Sequence, residues 1–91
     1  MRIDKFLKAA RLVKRRTAAQ EMIEIGAVRV DGRECKPSAE VAEGKTVEIA
    51  YMSRVLKVKV LIADEQLLKR PQTTAYEVLE ERPVPANERP W

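Results

Sequence analysis

The side chains with the most evident chemical potential crowd one end of the sequence. Arg2, Lys5, Lys8, Arg11, Lys14, Arg15 and Arg16 fall within sixteen residues against the single acid Asp4, a local net charge of +6. Residues 34–91 hold nine basic and ten acidic side chains, so the chain's overall +4 arises entirely in its first third. The chemistry this suits is non-covalent capture of a polyanion, since each phosphate neutralised releases condensed counterions. Arginine meets phosphate through two parallel N–H bonds, whereas lysine acts as a point charge. Arg2, Arg15 and Arg16 are therefore expected to make geometry-specific contacts, with Lys5 and Lys8 supplying longer-range attraction. Thr17 and the open amides of a second helix start add an anion site beside the arginines, and Gln20, one turn in, is placed to reach a base edge or a ribose hydroxyl. Arg33 and Lys36, on the hairpin that follows, complete the expected contact set.

Covalent chemistry finds little support. The chain has no histidine, which removes the usual general base, the usual zinc ligand and any Ser-His-Asp triad. Cys35 stands alone, so it forms no intrachain disulfide. Lys36 beside it would modestly favour a thiolate, but Cys35 reads better as a small apolar residue continuing the inward alternation of Val28 and Val30. Glu80 and Glu81 are adjacent in sequence and do not form a preorganised acid–base pair. Gly26, Gly32 and Gly44 read as one helix stop and two turns, too few and too scattered to cradle a phosphate. The sequence carries no catalytic constellation, and the expectation is a binding protein with no cofactor and no metal.

These side chains need a scaffold. Ninety-one residues fit one small domain. No apolar run approaches the ~20 residues of a membrane span, and 35% charged against 45% hydrophobic residues suits a soluble cytoplasmic protein. At 100° per residue, Ile3, Phe6, Leu7, Ala10 and Val13 share one helical arc, while Lys5, Lys8, Arg11 and Arg15 share the opposite one. This predicts a first helix from about Asp4 to Leu12, with Asp4 as its N-cap or first-turn acid. Thr17-Ala18-Ala19-Gln20 has the form of a capping box, predicting a second helix over about Ala18 to Ile25, stopped by Gly26. The period then changes to two. Val28 to Val30, the Asp31-Gly32 turn and Arg33 to Lys36 predict a hairpin. A loop from Pro37 to Gly44 carries Val41 as an apolar plug. Val47, Ile49 and Tyr51 form one further strand, and Leu56, Val58, Val60 and Ile62 another. Residues 64–75 stay unassigned, because Pro71 interrupts any continuous helix. Tyr76 to Leu79 reads as a short strand or a turn of helix. From Arg82 onward the prolines predict a disordered tail.

The fold class expected is α+β, two short helices packed on a small, mostly antiparallel sheet. Residues 1–62 form the core, 63–81 an extension packing on or near the sheet, and 82–91 the tail. The basic start also has the look of an organelle transit peptide, but it lacks serine and the core needs it. A membrane-surface helix would want larger apolar anchors than Phe6. Two short helices suggest DNA, yet Glu21 and Glu24 on the second would repel groove phosphates. Single-stranded RNA calls for stacking aromatics, and residues 7–50 contain none. Structured RNA, read by shape and backbone, fits best. A basic face meeting an acidic protein, as an adaptor for a separate enzyme, is the rival from another class.

The ordered set Arg2-Ile3-Asp4-Lys5-Phe6-Leu7, Lys14-Arg15-Arg16-Thr17-x-Ala19 and Ile25-Gly26-x-Val28-x-Val30-Asp31-Gly32 resembles the S4 RNA-binding domain over about residues 1–50. With nothing left over for a catalytic domain, the chain looks like a free-standing member. It is most similar to the RqcP type, a relative of the bacterial heat-shock S4 protein, through Leu12-Val13-Lys14-Arg15-Arg16-Thr17 and Thr74-Ala75-Tyr76-Glu77. It lacks that relative's long basic extension. The resemblance implies a factor for ribosome quality control that contacts large-subunit ribosomal RNA and peptidyl-tRNA on obstructed large ribosomal subunits. There it would help a partner factor add a C-terminal alanine tail. Arg2, Lys5, Lys8, Arg15 and Arg16 match the family's RNA-facing positions. A ribosome-assembly or heat-shock ribosomal-RNA factor is the alternative within the same class.

Overall fold

A computed structural model describes residues 1–85 and 87–91. In chain order its elements are α1 (Ile3–Ala9), α2 (Arg16–Glu24), β1 (Val28–Val30), β2 (Arg33–Glu34), β3 (Thr46–Ala50), β4 (Arg54–Val60), α3 (Glu65–Leu68) and β5 (Tyr76–Pro83). The strands make one antiparallel sheet in the order β2-β1-β3-β4-β5. The expected α+β architecture is present, with α3 added to the two expected helices.

The core forms where two periodicities meet. Ile3, Phe6 and Leu7 of α1, with Ala19 and Ile23 of α2, are buried against the inward row Val28, Val47, Ile49, Leu56, Val58 and Val60. Each such large side chain contributes about 1.5–3 kcal/mol on burial. Val41 plugs this core as expected. Its loop lies along the start of α1, with Ile3 N–H donating to the Ala39 carbonyl and Val41 N–H to the Met1 carbonyl, both at 2.8 Å.

Both major helices end in the same motif, written with different residues. At the end of α2, Gly26 takes φ +80°, its N–H bonds the Ile23 carbonyl, and Ala27 N–H bonds the Met22 carbonyl. That pair of bonds defines a Schellman cap, for which glycine is the usual residue. A Cβ on Gly26 would also lie 2.8 Å from Glu34 Oε1. At the end of α1 the same bonds run from Arg11 N–H to the Lys8 carbonyl and from Leu12 N–H to the Leu7 carbonyl, with Arg11 at φ 62°. The first helix therefore stops at Ala9 rather than near Leu12, because an arginine adopts the left-handed conformation there.

The capping-box expectation is also corrected. Helix α2 begins at Arg16, two residues ahead of Ala18, with Arg15 as N-cap and no side-chain cap. Thr17 thus sits inside the first turn, and the Gln20 amide is engaged elsewhere, as described below. The hairpin turn follows expectation, Asp31 (φ 51°) and Gly32 (φ 79°) forming a two-residue turn of the kind that matches strand twist, but the return strand stops at Glu34 rather than running to Lys36. Thr46 N–H and the Lys45 ammonium hold the Asp31 carboxylate below its ordinary range.

Strand β5 is longer than the sequence suggests. It pairs with β4 from Val60↔Tyr76 to Arg54↔Pro83, with a bulge that leaves Leu79 between Val78 and Glu80. Pro83 is tolerated because the strand is an edge. The position where disorder is expected to begin, Arg82, lies within this strand. Beyond it, Val84 is buried, and the Trp91 indole donates to the Gly26 carbonyl at 3.1 Å. The Arg29 guanidinium lies 4.6 Å over the Trp91 ring. On the sheet face opposite the core, register aligns Glu34, Arg29, Glu48, Lys57 and Glu80 in one row of alternating charge.

Candidate nucleic-acid interface

The organising group of the basic region is an acid. Asp4 occupies the first turn of α1 and is fully buried. Arg2 grips its carboxylate with two bonds, Nε to Oδ1 at 3.2 Å and Nη2 to Oδ2 at 3.1 Å. From α2, Arg16 Nε and Gln20 Nε2 both reach Oδ2, at 3.2 and 2.9 Å, and Lys5 N–H donates to Oδ1 at 2.8 Å. Burial alone would raise the Asp4 pKa. The Gln20 and Arg16 side chains and the Lys5 amide outweigh it and hold the carboxyl below its ordinary value, so it stays ionised. One carboxylate thereby ties α1 to α2 and fixes two guanidiniums whose other N–H groups have no hydrogen-bond partner among the described residues. Gln20 acts here through Asp4 rather than reaching outward.

Beside this clamp, an open groove of about 680 Å³ runs between α1, the α1–α2 turn and α3. Lys5, Lys8, Arg11, Lys14 and Arg16 line it, five of the sequence-predicted residues, together with Lys69. Glu65 is the one acid in the lining, and its carboxylate lies 3.8 Å from Lys5 Nζ. Helix α3 brings Lys69 here because Asp64 caps it, its Oδ1 accepting from Gln66 and Leu67 N–H at 2.9 and 3.2 Å. Sequence reasoning missed Lys69; the Asp64-Glu65 start and the Lys69-Arg70 pair before Pro71 were the signals available for a capped turn ending in cations.

The other predicted residues are placed differently. Arg15 and Thr17 are exposed at the α2 start. The first bond of that helix is Ala19 N–H to the Arg15 carbonyl at 3.0 Å, so the amides of Arg16, Thr17 and Ala18 remain open to an anion. Arg2 belongs to the clamp and not to the groove lining. Arg33 and Lys36 are exposed on the hairpin arm and line neither. Cys35 is half-buried, and burial together with Glu34 pushes its thiol upward, against the modest thiolate preference expected from Lys36.

The S4 domain model of protein families matches residues 1–47, which span α1, α2 and the hairpin and reach into β3. The chain belongs to the S4 domain family. Over 88 residues it is 39% identical to the RQC P-site tRNA stabilizing factor of Halalkalibacterium halodurans, covering 97% of this chain and 100% of that one. The protein of the same name from Streptococcus pneumoniae is 37% identical over 96% of this chain and 99% of its own. Among solved structures, the trimeric Heat Shock Protein 15 of Vibrio cholerae superposes with a TM-score of 0.77 at 30% identity, covering 86% of this chain and 80% of that one. The S4 match contains the whole Asp4 clamp and every groove cation except Lys69.

Proposed function

We propose that this S4 protein is a non-catalytic RNA-binding factor of the ribosome. It holds large-subunit ribosomal RNA and peptidyl-tRNA together on obstructed large subunits, and so supports alanine tailing of stalled chains by a partner factor. The observation that carries this reading is the pairing of Arg2 and Arg16 on the buried Asp4 carboxylate beside a cation-lined groove. Guanidiniums fixed before contact lose less rotamer entropy when a phosphate arrives, which favours one RNA arrangement over others. The kinship with proteins named for stabilising P-site tRNA supports the choice of RNA. Arg2, Lys5, Lys8, Arg11, Lys14, Arg15, Arg16 and Lys69 make the phosphate contacts, and the open α2 amides with Thr17 add one more. Gln20 is a positioning residue. Arg33 and Lys36 serve as outlying contacts.

Co-sedimentation through a sucrose gradient tests the reading. Enrichment on free large subunits carrying tRNA is the expected result. Enrichment on immature particles would favour an assembly-type role instead. A pool unbound even at low salt would overturn both. With one phosphate neutralised by each of these eight cations, log affinity for RNA falls against log salt with a slope of roughly −5.6 to −7.2. A slope near zero would point to a protein partner instead.

A further inference from the structure

A second groove, of about 440 Å³, lies between the end of α1 and the loop joining α3 to β5. It shares Ala9, Arg11 and Leu68 with the first, so the two are continuous. Its further lining includes Arg70, Thr74 and Tyr76. All of these lie beyond residue 47, where the S4 match ends. Resting on the RNA-binding reading above, we propose that this second groove is a distinct site for an unpaired RNA strand that leaves the structured part held in the first.

Charge and ring content both favour an unpaired strand. The second groove has two guanidiniums and no acidic side chain in its lining. Among the described residues neither Arg11 nor Arg70 has a carboxylate at ion-pair distance. Two uncompensated guanidiniums are suited to bidentate capture of backbone phosphates. Tyr76, half-buried at the groove wall, supplies an aromatic surface that the first groove lacks. Bases freed from a duplex stack on such rings, whereas paired bases offer no face to stack. The Thr74 side chain is exposed beside them and can meet a ribose hydroxyl. The wall is fixed in place: Thr73 Oγ1 donates to the Leu67 carbonyl at 2.9 Å. Arg11 joins the two grooves, and its left-handed backbone projects it from the helix end into both.

The test uses the full chain and two labelled RNAs read by fluorescence anisotropy: a blunt hairpin, and the same hairpin with an unpaired extension of about six nucleotides. The extension is expected to tighten binding by about fivefold or more, in line with one stacked base. Arg70→Ala and Tyr76→Leu, the latter keeping apolar bulk, each remove most of that gain while leaving the blunt hairpin within about twofold. Arg16→Ala weakens both RNAs equally. The phosphate that Arg70 adds on the extension steepens the salt slope by roughly 0.7 relative to the blunt hairpin. A gain that survives Arg70→Ala, an extension that adds nothing, or an equal gain from a lengthened duplex would each overturn the second site. Failure of the unaltered protein to hold even the blunt hairpin would instead remove the RNA-binding reading beneath it.

Discussion

Replacing Arg11 with glycine should make the protein more stable and a poorer RNA binder. Arg11 holds φ 62° at the position where Gly26 serves the other helix. A side chain in the left-handed region costs roughly 1–2 kcal/mol that glycine avoids. Glycine also enlarges the unfolded ensemble, which returns about 0.4–1 kcal/mol. The net expectation for Arg11→Gly is a gain of about 0.5–1 kcal/mol. For a domain of this size that raises the melting midpoint by roughly 2–8 °C. The two capping bonds use only backbone groups, Arg11 N–H to Lys8 and Leu12 N–H to Leu7, so glycine keeps both. On the binding side the variant loses one phosphate contact, and the salt slope becomes shallower by roughly 0.7–0.9. Arg11→Ala is the control, since it removes the guanidinium without relieving the backbone and should reproduce the binding loss with little change in stability. Calorimetry and anisotropy titrations in several salt concentrations read out both quantities. A glycine variant that melts lower would refute the account of the helix end, and one that binds RNA unchanged would refute the role of the side chain.

Asp4→Asn should lower stability at neutral pH by about 1–3 kcal/mol, the cost of leaving buried hydrogen-bonding groups poorly matched. Because the folded state depresses the Asp4 pKa, its contribution is fully present above the ordinary value of 3.8 and lost as pH falls through the folded pKa. The variant should therefore flatten the acid limb of a stability–pH curve; an unchanged limb would show that Asp4 is not the titrating group. Gly26→Ala should destabilise by about 1–2 kcal/mol, because alanine is strained at φ +80° and its methyl group must displace Glu34; a neutral result in denaturant unfolding would argue against that cap. Cys35 should alkylate more slowly with iodoacetamide at pH 8 than an exposed model thiol, since burial and Glu34 raise its pKa. A rate equal to the model thiol's would contradict that environment.

Residue pattern alone revealed much of the scaffold. The apolar arc of α1, the Asp31-Gly32 turn and the alternation along β3 and β4 each follow from local rules that tertiary contacts leave intact. What escaped has definite causes. Helix α1 ends early because Arg11 adopts a conformation that sequence rules reserve for glycine or asparagine. Gln20 leaves its local capping role because Asp4, sixteen residues earlier, offers it a buried charge. Strand β5 shows no alternation to read, as seven of its eight residues are exposed on an edge. The cations at the start of the chain were legible as a group; that an acid arranges two of them was not, because a lone aspartate among arginines looks like an ordinary first-turn residue. Lys69 and Arg70 reach the grooves only through the fold.

The row formed by Glu34, Arg29, Glu48, Lys57 and Glu80 has a consequence for how the molecule approaches its target. Neighbouring signs along that row cancel locally, while the opposite side carries a concentrated positive field. Such a molecule experiences a torque as it nears any dense array of phosphates, turning its helical side forward before the surfaces meet. On a particle where almost every direction attracts a cation, that bias shortens the search by discarding encounters that begin with the wrong side.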